Sequence, residues 1–174
     1  MKSIIFCRVS SKEQEETGYS LDAQENLLKD YSDKKQFNTV KIFKISESAS
    51  GKQVRKLFNE TFTYVTKNKI NIICCEKIDR LTRNSKDACL VQDWISENKD
   101  RQVHCVKESF ILNGDTKAHE NFIWDMKVAT ARLYTNNLSE EVKKGQKTKL
   151  SQGWLPAKPP LGYKPLERKD TKHI

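Results

Sequence analysis

The sequence predicts an α/β domain: a mostly parallel sheet of four or five strands with flanking helices, followed by a long C-terminal helix that projects from it. Three observations carry this expectation. Short apolar runs alternate with amphipathic stretches of helical length. One run, Ile70-Asn71-Ile72-Ile73-Cys74-Cys75, is almost continuously apolar, as a strand covered on both faces requires. From Ala118 to about Leu150 there is no proline and Gly145 is the only glycine, while apolar residues recur at near-helical spacing.

Taken in order, Ser3–Cys7 reads as the first strand. Ser20 to about Lys35 reads as a helix capped by Ser20, with Leu21, Leu27, Leu28 and Tyr31 on one face. Thr39–Lys44 is a second strand, and Val54–Lys67 a second helix with Leu57, Phe58, Phe62 and Val65 inward. After the strand ending at Cys75, Asn84–Asn98 is helical, with Ala88, Val91, Trp94 and Ile95 as its core stripe. Gln102–Val106 is the fourth strand. The stripe Phe122, Met126, Ala129, Leu133, Leu138 and Val142 belongs either to one helix on the order of 50 Å long or to two helices broken near Asn136-Asn137. A helix that long cannot bury its stripe on a small domain, so it is expected to pack on another subunit, on DNA, or on both. Gly153 to Tyr163 is a linker by composition. The expected domains are 1–115, catalytic; 116–150, the long helix; and 151–174, a basic linker opening a truncated second domain.

Composition narrows the function. No apolar run approaches the length of a membrane span, and Arg8 ends the short N-terminal run too early for a signal peptide. The five cysteines show no CxxC spacing and read as buried free thiols in a reducing cytoplasm; no zinc or other metal site is expected. Net charge is +9, and from Val142 to Ile174 there are nine basic residues against two acidic ones. The first 141 residues are therefore close to neutral, and the tail either meets a polyanion or is a solvated lysine-rich segment.

Open parallel sheets place their sites at the carboxyl ends of the strands. Following the first three strands come Arg8, Ser10, Ser11 and Gln14; then Glu47, Ser48, Ser50, Gly51 and Arg55; then Glu76, Asp79, Arg80 and Arg83. Four arginines on one rim call for an anion, and guanidinium groups suit bidentate phosphate binding at any working pH. A serine in that field is a candidate nucleophile; it is equally a residue that caps helices, and Asp79 to Asn84 reads alternatively as a strand-to-helix turn with structural ion pairs. No histidine lies near these positions, and no clustered carboxylates suggest a two-metal nuclease. No GxGxxG or Walker-type loop supports a nucleotide-binding module. The residues alone give a phosphate-handling α/β domain.

Phe6-Cys7-Arg8-Val9-Ser10-Ser11-Lys12-Glu13-Gln14 resembles the N-terminal signature of the resolvase/invertase family of serine recombinases. Glu76-Lys77-Ile78-Asp79-Arg80-Leu81-Thr82-Arg83-Asn84 resembles that family's second signature. Tyr19 to Gln24, and Ser48-Ala49-Ser50-Gly51 followed by Arg55, fall where the family has intermediate motifs. Pro160-Leu161-Gly162-Tyr163 resembles the opening of the second domain of large serine recombinases.

The resemblance implies a site-specific recombinase catalytic domain that cuts and rejoins double-stranded DNA through a 5′-phosphoserine on Ser10. Ser11 is a neighbouring alternative nucleophile. Arg8, Arg80 and Arg83 would bind the phosphate, with Arg83 assisting the leaving oxygen. Arg55 would add charge, Asp79 would orient an arginine, and Gln14 and Gln24 would shape the site. Lys143, Lys144, Lys147 and Lys149 would contact DNA phosphates. The resemblance further implies no cofactor, a homodimer that becomes a tetramer in the synaptic complex, and a cytoplasmic protein of prokaryotic or phage origin. Two positions depart from the pattern: Phe6 stands where a tyrosine is common, and Arg132-Leu133-Tyr134-Thr135 replaces a Glu-rich segment. The alternative reading is a catalytically inactive DNA-binding relative of the same fold.

Overall fold

The computed structural model describes residues 1–9, 21–46, 51–82, 84–157 and 161–162. The chain runs β1 (Lys2–Val9), α1 (Leu21–Lys34), β2 (Asn38–Ser46), α2 (Gly51–Lys67), β3 (Ile72–Cys75), α3 (Ile78–Leu81), α4 (Ser85–Ser96), β4 (Gln102–Cys105), a single 3-10 turn η1 (Val106–Glu108), β5 (Phe110–Asn113) and α5 (Ala118–Ser151). The sheet order is β2-β1-β3-β4-β5. The pairs β2–β1, β1–β3 and β3–β4 are parallel, and β5 closes the sheet antiparallel to β4.

Side-chain alternation along the strands makes two cores. Ile5, Cys7, Ile72 and Cys74 face α1 and bury Leu28. Ile4, Phe6, Ile73, Cys75, Val103 and Cys105 face the opposite way, toward Phe58 and Val65 of α2, Ile78 and Leu81 of α3, Val91 and Trp94 of α4, and Trp124 and Val128 of α5. Consecutive crossovers leave β1 toward β2 and β3 toward β4, so the strand order reverses between β1 and β3. Their carboxyl ends form the crevice where open sheets of this type hold ligands.

The expected elements are present, with three differences. β5 has no counterpart among the expected elements: it is only four residues long, with Leu112 buried and Phe110 partly buried against the core. Helix α1 does not bury a purely apolar stripe: Gln24, Glu25 and Ser32 are buried beside Leu28, while Leu21, Leu27 and Tyr31 are only half-buried. Its inner face meets polar groups, with Ser32, Ser3 and Thr39 sharing hydroxyl contacts of 2.7–3.5 Å. The long helix passes through Asn136-Asn137 without a break, but its inward residues are Trp124 and Val128, and Phe122, Met126, Leu133, Leu138 and Val142 are exposed.

The chain divides into two units, Met1–Arg132 and Leu133–Ile174. The first holds the sheet, α1 to α4 and the start of α5. The second holds the rest of α5, in which every side chain from Leu133 to Leu150 is exposed. No described helix is long and apolar enough to cross a membrane. Cys7, Cys74, Cys75 and Cys105 are buried free thiols, whereas Cys89, expected to be buried, is exposed on α4.

Candidate active site

Arg8 stands near the carboxyl end of β1, on the same face as Ile4 and Phe6, and is 4 % exposed. Its Nε donates to Arg80 O at 2.9 Å, and an Nη donates to Asp79 O. Arg80 is 8 % exposed, and its Nη1 lies 3.3 Å from Asp79 Oδ2. Two arginines are thus buried where the sheet order reverses, the guanidinium of one bonded to the main chain of the other. Burying such charge is costly without compensating groups.

The turn bearing Asp79 and Arg80 is tied down locally and at long range. Thr82 closes it, with its N and Oγ1 both donating to Ile78 O at 2.9 and 3.1 Å. Asn84 then starts α4: its Oδ1 accepts from Asp87 N at 2.9 Å, and its Nδ2 donates to Asp87 Oδ2 at 3.0 Å. From the opposite side, Gln24 Nε2 donates to Arg8 O at 3.3 Å and to Glu76 Oε2, so Gln24 joins α1 to both strand ends. Its Oε1 is buried without a hydrogen-bond partner.

Of the expected site residues, the structure therefore brings together Arg8, Asp79, Arg80 and Gln24. Arg55 is exposed in an open groove of about 760 Å³ between β2 and α2, lined also by Lys41, Phe43, Tyr64 and Lys67. That groove has an aromatic floor, over which Lys41 Nζ sits 4.7 Å from the Phe43 ring and 4.5 Å from the Tyr64 ring. Ser10, Ser11, Gln14, Ser48, Ser50 and Arg83 lie outside the described residues. Lys143, Lys144, Lys147 and Lys149 are exposed on α5.

Sequence reasoning missed Lys107, Glu108 and Lys127. Lys107 pairs with Glu76, while Glu108 accepts from Ile78 N and pairs with Lys127. No local pattern announces them, because each acts on a residue distant in the chain. Burial pushes the Cys7 and Cys74 thiols up to about 12, which disfavours their thiolates. Among the described residues no group of three or more His, Cys, Asp or Glu side chains is placed to hold a metal ion.

A family model described as "Resolvase, N terminal domain" matches residues 3–154. The chain belongs to the resolvase family. No curated protein matches this resolvase-family chain by sequence. Several solved structures share its fold, three of which illustrate the likeness. The N-terminal catalytic domain of TP901-1 integrase is 19 % identical with a TM-score of 0.55, the match covering 79 % of this chain and 98 % of that one. A resolvase family site-specific recombinase from Streptococcus pneumoniae is 20 % identical with a TM-score of 0.55, covering 87 % and 99 %. The C-terminal catalytic domain of ISC1926 TnpA, an IS607-like serine recombinase, is 22 % identical with a TM-score of 0.52, covering 88 % and 95 %.

Proposed function

We propose that the chain is the catalytic domain of a serine site-specific DNA recombinase, belonging to a large recombinase whose second domain begins near residue 151. The observation that carries this is the burial of Arg8 and Arg80 together where the sheet order reverses, in a chain of the resolvase family. Guanidinium groups there suit a phosphodiester, whose two non-bridging oxygens match their forked donors.

In this mechanism Ser10 Oγ attacks the scissile phosphorus as its proton is withdrawn. The P–O3′ bond breaks, the departing oxygen takes up a proton as a 3′-hydroxyl, and the 5′ end is held as a phosphoserine ester. Arg8, Arg80 and Arg83 stabilise the extra negative charge of the transition state, and Arg83 assists the departing oxygen. Asp79 orients Arg80. Gln14 and Gln24 shape the pocket, and Arg55 adds charge at its approach. Because the ester conserves the energy of the cut bond, the 3′-hydroxyl of a partner strand can reverse the step and reseal the DNA without a cofactor. Strand exchange needs two dimers joined as a tetramer. The exposed residues Phe122, Met126 and Leu133, with Ala129, supply an apolar face for that contact.

The test is covalent attachment. Full-length protein is mixed with its recombination site in excess EDTA, and the protein–DNA adduct is mapped by mass spectrometry. The adduct should sit on Ser10 at the 5′ side of the break. Ser10→Ala should abolish it, and Ser11→Ala should only weaken it. An adduct on Ser11, wild-type cleavage by Ser10→Ala, or cleavage that requires magnesium would overturn the mechanism. A wild-type protein that binds the site and never cuts it would indicate the inactive relative.

A further inference from the structure

The turn that carries Asp79 and Arg80 is held from behind by two consecutive residues of η1. Lys107 N donates to Glu76 O at 2.9 Å, and the Lys107 ammonium pairs with the Glu76 carboxylate. Glu108 Oε2 accepts from Ile78 N at 2.8 Å, while Glu108 Oε1 lies 2.8 Å from Lys127 Nζ on α5. Helix α3 begins with amides that have no partner inside the helix. Its N-cap residue, Lys77, makes no side-chain capping bond. Glu108 supplies that cap from another part of the chain, and a carboxylate is well suited to it. Two polar ties join α5 to α4, Asp125 with Gln92 and Arg132 with Ser85, both at 3.4 Å, and neither involves a residue of the turn.

We propose that Glu108 is a positioning residue for the arginine-bearing turn, and that Lys127 makes its hold depend on the placement of α5. One carboxylate binds the start of α3 with one oxygen and the long helix with the other. Displacing α5 at Lys127 reorients that carboxylate, and with it the backbone from Ile78 to Arg80 onto which Arg8 is bonded. The long helix thereby gates the placement of Arg80 and of the carbonyls that hold Arg8. This rests on the reading of Arg8 and Arg80 as a phosphate site.

The test uses the 15N-labelled chain, inorganic phosphate as the probe, and two readouts: hydrogen exchange at the Ile78 amide, and phosphate-induced shifts of the Arg8 and Arg80 Nε–H signals. Glu108→Ala should speed Ile78 exchange about tenfold, as loss of a charge-assisted bond implies, and weaken phosphate binding severalfold. Glu108→Gln keeps an acceptor and should restore most of both. Lys127→Met should speed Ile78 exchange about threefold, whereas Asp125→Asn on the same helix should change neither readout. Should Glu108→Ala fail to fold, Glu108→Gln and Lys127→Met carry the comparison. Unchanged Ile78 exchange in Lys127→Met, or faster exchange with unaltered phosphate binding in Glu108→Ala, overturns the proposal. A wild-type chain that ignores phosphate overturns the phosphate reading and the gating role with it; intact Ile78 protection then separates that failure from a failure of the cap.

Discussion

His104 on β4 shows how a single buried group sets a pH limit for the fold. Tyr31 Oη lies 2.9 Å from its Nδ1 and Gln102 Oε1 lies 2.9 Å from its Nε2. The partners assign the proton to Nε2, which donates to Gln102, while the Tyr31 hydroxyl donates to Nδ1. The Phe37 ring stands edge-on at 5.2 Å. Burial, reinforced by the nearby Lys35 charge, lowers the imidazole from 6.5 to about 4. A lowered histidine stabilises the fold fully above its unfolded value and less as pH falls toward its folded one, because only the unfolded chain takes up the proton. Between pH 7.5 and 5 this amounts to about 2 kcal/mol. Urea unfolding at the two pH values should show that loss in the wild-type chain and a flatter profile in His104→Gln; parallel profiles would refute it. At this scale Arg8, Asp79 and Arg80 were legible because strand ends and motif spacing locate them. Glu108 and Lys127 were not, since a cap supplied to Ile78 from thirty residues away leaves no periodic trace. For Arg55 a motif gave the position in the chain but not the direction of its side chain, which is exposed on α2.

Among the elements, α5 sends two side chains, Trp124 and Val128, into the core. Trp124 is fully buried and stacks on Phe110 of β5 with ring centroids 6.3 Å apart, and Val128 follows one turn later. Trp124→Ala should destabilise the Met1–Arg132 unit by about 3–5 kcal/mol, the cost of an emptied core site. Phe122→Ala, on an exposed position of the same helix, should cost less than about 0.5 kcal/mol in dilute solution. Urea midpoints of the two variants check the contrast, and equal losses would show that the helix packs differently. The length and continuity of α5 could be read from its composition, but its phase could not. Apolar residues occur on more than one face between Phe122 and Val128, so periodicity alone cannot say which of them meets the sheet. β5 escaped for want of length, and the polar inner face of α1 because hydroxyls and amides that find partners inside the fold look like surface in a sequence.

Across the whole molecule, charge is distributed unevenly, and the Leu133–Ile174 unit carries most of the surplus. Its exposed lysines on α5 should hold DNA through phosphates, giving position without sequence preference. The chain should bind specific and scrambled duplexes alike, with Kd in the range of about 10⁻⁴–10⁻⁶ M. Neutralising Lys143, Lys144, Lys147 or Lys149 singly should reduce the salt slope by about one unit or less. Fluorescence titrations at several salt concentrations measure this, and tight, salt-insensitive, sequence-specific binding would be incompatible with it. The α/β class was legible from the alternation of runs and helices, whereas the order of the sheet emerges only from the pairing. That order has a cost during synthesis. β1 leaves the ribosome before β2 and β3 yet lies between them, and its Ile4-Ile5-Phe6-Cys7 segment can be covered on both edges only once Ile72–Cys75 has been made. At about 5–20 residues per second, an apolar strand therefore waits several seconds for its second neighbour, open meanwhile to chaperones and to other nascent chains.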